Sequence, residues 1–115
     1  MKRYQGQRGS NGCHVTVDGR PLPSDFQQWR FSADGFEWGY DGTGPSQLAF
    51  AILADHFNDE FKALKSYKIF RDQVLAEYQE DEWEIKSSQI EQILNETVEV
   101  AMTLEELLNK VRGKS

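Results

Sequence analysis

The chain has 115 residues, 38% hydrophobic and 28% charged, with one cysteine and a formal net charge of −6. These values describe a single globular domain and exclude the disordered, collagenous and disulfide-stapled classes. The charge is uneven: acids and bases cancel over residues 1–76, whereas ten acids face one base, Lys86, over residues 77–106, so the basic footprint that a phosphate backbone needs is missing and direct nucleic-acid binding is not expected.

Residues 1–5 read as a first strand and residues 8–12 as a turn cluster. Residues 13–17, Cys-His-Val-Thr-Val, are β-rich, and Asp18-Gly19 supplies a hairpin-type turn. Trp29-Arg30-Phe31 and Phe36-Glu37-Trp38-Gly39-Tyr40 alternate, so the first forty residues predict three or four antiparallel strands, with Phe36, Trp38 and Tyr40 on one face.

From Gly44-Pro45 the pattern turns helical. A helix over residues 46–57 follows, and its run from Leu48 to Ala54 is apolar nearly all round, which predicts a buried central helix. Asn58-Asp59 caps a second helix reaching about Gln79, with Phe61, Leu64, Tyr67, Phe70, Val74, Leu75 and Tyr78 as its inward stripe. Lys62, Lys65, Lys68 and Arg71 form its solvated face. Trp83-Glu84-Ile85 is a strand candidate, and Ser88 with Glu91 makes a capping box for a helix over 89–95. Residues 97–102 alternate as a further strand candidate. Thr103 and Glu106 open a short helix whose Leu104, Leu107, Leu108 and Val111 dock onto the same domain. The fold class is α+β: a small antiparallel sheet of three to five strands on a buried central helix and a second, amphipathic helix. The organisation expected is one domain over 1–95 with a C-terminal extension over 96–115.

The apolar run from Leu48 to Ala54 is far shorter than the roughly 20 residues of a membrane helix. Without a secretory pattern or a second cysteine, a cytoplasmic protein away from membranes is expected. No catalytic set emerges. His14 and His56 lie far apart, and Cys13 and His14 fall on opposite strand faces. The carboxylates of Asp55 and Asp59 near His56 define no acid–base pair, so neither catalysis nor a metal or other cofactor is expected. Gly39, Gly42, Thr43, Gly44, Ser46 and Gln47 form the candidate ligand loop, because backbone N–H groups before a helix attract anions. Asp41 repels an anion there, and a tight turn is the simpler use of the glycines.

Residues 36–49 read F-E-W-G-Y-D-G-T-G-P-S-Q-L-A. This resembles a DUF6166-like family of small proteins of unknown function from bacteria, archaea and phages, whose centre reads F-E-W-G-Y-G-G-S-G-P-A-Q-L-A. Tyr4 and Gly6, residues 17–22 and Trp83 agree with the resemblance, which covers about residues 2–95; Asp41 stands where the family has Gly. The resemblance implies no activity, ligand or catalytic residue.

Two functions follow. The first is a non-catalytic interaction or regulatory module, of phage or mobile-element type. It binds a basic host protein through the acidic region, with Glu77, Glu80, Asp81, Glu82, Glu84 and Glu91 as the candidate surface. In its sharpest form that region imitates nucleic acid. The alternative is a small-ligand, nucleotide or anion sensor using the loop at 39–46.

Overall fold

The computed structural model describes residues 2–24, 29–32 and 35–95. Alternation builds its sheet. In β1 (Arg3–Gly9), Tyr4 and Gly6 face inward while Arg3, Gln5 and Gln7 face water. β2 (Gly12–Val17) buries Val15 and Val17, the two-residue β3 (Arg20–Pro21) follows, and β4 (Glu82–Lys86) buries Trp83 and Ile85. The four strands are antiparallel in the order β3-β2-β1-β4. Asp18 and Gly19 both take positive φ, as a tight hairpin turn with right-handed strands demands. Asp18 ties this turn to β1 by accepting the Arg3 N–H at 2.9 Å.

α1 (Thr43–Phe57) is buried from Gly44 through Ala54. The sheet covers one side of it, where the Tyr4 hydroxyl donates to Asp55 at 2.7 Å. α2 (Glu60–Gln73) packs on it elsewhere. α1 ends on Asn58 in the left-handed conformation, and α2 begins with Asp59 accepting the N–H groups of Phe61 and Lys62 at 2.9 and 3.2 Å. A 3-10 turn (Leu75–Glu77) leads to β4, and residues 87–95 form α3, which adds Ile90 and Leu94 to the core. Trp38, Tyr4, Phe50 and Phe70 are among the largest fully buried side chains, each contributing on the order of 2–3 kcal/mol by burial. Among the described residues no helix is long and apolar enough to cross a membrane.

Several expected elements differ. The first strand runs on to Gly9, so the turn cluster shrinks to Ser10 and Asn11. Neither residues 29–31 nor residues 36–40 join the sheet. Gly39 at φ +92 reverses the second segment, so Trp38 is buried while Tyr40 is half exposed. α2 stops at Gln73 rather than near Gln79, because Val74 leaves helical geometry at φ −122. Phe61 is 68% exposed and is not part of the inward stripe. The box that opens α3 lies two residues earlier than expected: Gln89 Oε1 accepts the Lys86 N–H at 2.8 Å. The strand candidate at 97–102 and the helix after it lie outside the described residues.

Candidate functional site

The outer face of the sheet is polar and open. Register places Gln5 opposite Glu84 and Gln7 opposite Glu82 on one side, and opposite Thr16 and His14 on the other. The Gln5 amide donates to Glu84 at 3.1 Å and the Gln7 amide to Glu82 at 3.1 Å. Arg3 Nε lies 3.5 Å from the second Glu84 oxygen. These strands form a shallow depression of about 460 Å³ with Gln5, Gln7, His14, Thr16, Glu82 and Glu84 on its walls. Two carboxylates are thus held side by side by amide donors. Such an array receives cations or N–H donors from a partner, because an ionised carboxylate is acceptor-only.

The six candidate acids do not form one patch. Glu82 and Glu84 share the sheet face, and Glu80 and Asp81 precede them in the chain. Glu77 belongs to the 3-10 turn, and Glu91 to α3, 3.8 Å from His56. The sequence reading missed Gln5, Gln7 and Arg3. Their signal was the alternation of 3–9, obscured by the turn-like composition of 8–12.

A second cluster closes the hairpin end of the inner face. Arg8 donates to Glu37 at 2.7 Å, to the Trp38 carbonyl at 3.1 Å and to Asp81 at 3.1 Å. Its guanidinium carbon lies 4.6 Å from the centre of the Trp38 ring, a cation–π contact. The Cys13 thiol donates to the other Glu37 oxygen at 3.2 Å. Burial raises the thiol above its ordinary value, and the Glu37 carboxylate raises it further. Arg8 acts in the opposite direction without outweighing them. Burial also pushes Glu37 upward, but the bonds from Arg8, Cys13 and the Trp38 N–H outweigh it and hold the carboxyl below its usual range. A carboxyl lowered on folding contributes stability that is full above its ordinary value and is lost as pH falls through the lowered one. Glu37→Gln should flatten this acid limb. Urea unfolding of both proteins at about pH 7 and about pH 3 measures it, and equal losses would refute the role.

Several groups of the glycine loop bond within the fold. The Gly39 N–H donates to the Leu75 carbonyl at 2.8 Å. A Cβ at Gly42 would stand 2.5 Å from the Tyr40 ring, and one at Gly44 would stand 2.7 Å from Glu37 Cβ. Thr43 begins α1 and is exposed. Ser46 donates to the Gly42 carbonyl at 2.7 Å and accepts from Arg71 at 3.0 Å. Arg71 also reaches Asp41 at 3.1 Å and Asp72 at 2.7 Å, so it belongs to this junction rather than to the lysine face of α2. Gln47, 3% exposed, accepts the N–H groups of Phe31 and Ser32 at 2.6 and 3.2 Å and donates to the Trp29 carbonyl at 3.1 Å.

Asp55 binds Tyr4 and Lys2, Asp59 caps α2, and the His56 side chain is 7% exposed. Burial lowers the His56 basicity, partly offset by Glu91. Among the described residues no group of three His, Cys, Asp or Glu is arranged to hold a metal ion.

A model of the family described as "Family of unknown function (DUF6166)" matches residues 4–96. No curated protein and no solved structure matches the chain.

Proposed function

The chain belongs to DUF6166, a family of unknown function, and from that premise we propose that it is a non-catalytic interaction module whose acidic sheet face receives a basic partner. The observation that carries this reading is the pair of exposed carboxylates, Glu82 and Glu84, each held by a glutamine amide at 3.1 Å on an open sheet face. Preorganised acceptors lose little side-chain freedom when a lysine or arginine docks. The excess negative charge of residues 77–106 steers a basic surface toward them, which makes the association salt-dependent.

Tagged full-length chain, incubated with nuclease-treated host lysate at low and moderate salt, should capture a basic protein that is lost as salt rises. Asp81 is left intact in the test variant, because it also anchors Arg8. Glu80→Gln, Glu82→Gln and Glu84→Gln together should then weaken binding of the purified partner at least about tenfold, chiefly through the on-rate. Unchanged binding by this triple variant would refute the acidic-face reading.

A further inference from the structure

We propose that β4 is a self-pairing edge through which two copies of this chain form a symmetric dimer, independently of any basic partner. Sheet order leaves β4 at one end, with β1 on one side and, among the described residues, no strand on the other. Two bonds flanking the β1–β4 ladder set its phase: the Arg8 N–H donates to the Asp81 carbonyl at 2.7 Å, and the Ser87 N–H to the Lys2 carbonyl at 2.9 Å. Bonded pairs alternate along an antiparallel ladder. Trp83 and Ile85 therefore turn their backbone groups to β1, whereas Glu82, Glu84 and Lys86 turn theirs outward. Gln89 takes the Lys86 N–H at 2.8 Å. Among the described residues the N–H and C=O groups of Glu82 and Glu84, with the Lys86 C=O, remain as a template for another strand.

The occupant that fits this edge is the same edge reversed. With a two-fold axis at Glu84, Glu82 of each copy stands opposite Lys86 of the other on the outer face, and Trp83 stands opposite Ile85 on the inner face. Both Glu–Lys contacts are favourable cross-strand pairs, and a register shift of two residues breaks that symmetric pairing. The one like-charge contact is Glu84 against Glu84. Each of these carboxylates already has Arg3 at 3.5 Å and Gln5 at 3.1 Å to offset it. The pairing is isologous and closes at two copies, joining two four-stranded sheets into one.

Sedimentation velocity of the full chain up to about 100 µM should show a monomer–dimer equilibrium. Glu82→Lys and Lys86→Glu each turn two attractions into two repulsions, and each should weaken association at least about tenfold. The double reversal should restore it. Glu84→Pro removes an outward N–H without touching the β1 ladder, a placement that edge strands tolerate, and should leave a folded monomer by circular dichroism. A wild-type monomer at about 100 µM, single reversals without effect, or a double reversal that fails to restore pairing would each overturn the proposal.

Discussion

Alanine at Gly6 is expected to destabilise the protein by about 3 kcal/mol, a fall in Tm of roughly 10 °C for a domain of this size. A Cβ there would overlap the Trp83 indole at Cε2, Nε1 and Cζ2. The ring has nowhere to go. It is 8% exposed, stacked on Tyr78 at 5.4 Å and edge-on to Trp38 at 5.5 Å. Its Nε1 has no hydrogen-bond partner among the described residues, so packing alone fixes its position. Because Gly6 and Trp83 are directly paired across β1 and β4, the strain also disturbs the strand that carries Glu82 and Glu84. Gly9→Ala in the same strand is the control. A Cβ at Gly9 meets nothing within 4 Å, and the change should stay within about 0.5 kcal/mol. Thermal melts of the two variants decide the matter: equal melting temperatures would mean that the indole yields freely.

The second large effect is expected at Gln47. Leucine there keeps much of the volume but leaves the Phe31 N–H and the Trp29 carbonyl without the partner they have at 2.6 and 3.1 Å. An orphaned backbone group costs about 1–3 kcal/mol when buried, and these two are part-buried, so a total of about 2 kcal/mol is expected. The loss falls on the segment that carries Phe31, which stacks on Tyr67 at 4.8 Å and meets Phe50 edge-on at 5.6 Å. Hydrogen exchange should report it directly, with protection at Phe31 falling further than protection in the β1–β2 ladder. Uniform loss across both regions would mean that Gln47 acts through global stability alone.

Much of the architecture was legible wherever the apolar period was unbroken. The run from Leu48 to Ala54 predicts a helix that needs cover on every side, and the sheet and α2 supply it. The Asp18-Gly19 turn, the Asp59 cap and the strand around Trp83 follow from local chemistry in the same way. The misreadings share one cause. Phe36-Glu37-Trp38-Gly39-Tyr40 alternates as a strand does, yet Gly39 reverses the chain so that its N–H reaches the Leu75 carbonyl at 2.8 Å. Helical spacing likewise continues through Leu75 and Tyr78, but α2 ends at Gln73, before the chain turns toward the sheet. Periodicity records which side chains are apolar; it does not record where a distant strand requires the chain to bend.

The site divides along the same line. Composition alone locates the negative charge in residues 77–106, and the motif at 36–49 alone points to the family. Local composition and spacing therefore settle the α+β class, the buried central helix, the acidic third and the family. Long-range packing set Gln5 and Gln7 beside Glu84 and Glu82, drew Arg8 to Glu37 and Asp81, left the far edge of β4 without a strand among the described residues, and placed Trp83 over Gly6. Each of these joins residues remote in sequence through strand register or core packing. Register is a property of two strands meeting, and no local pattern in either strand states which residue of the other it will face.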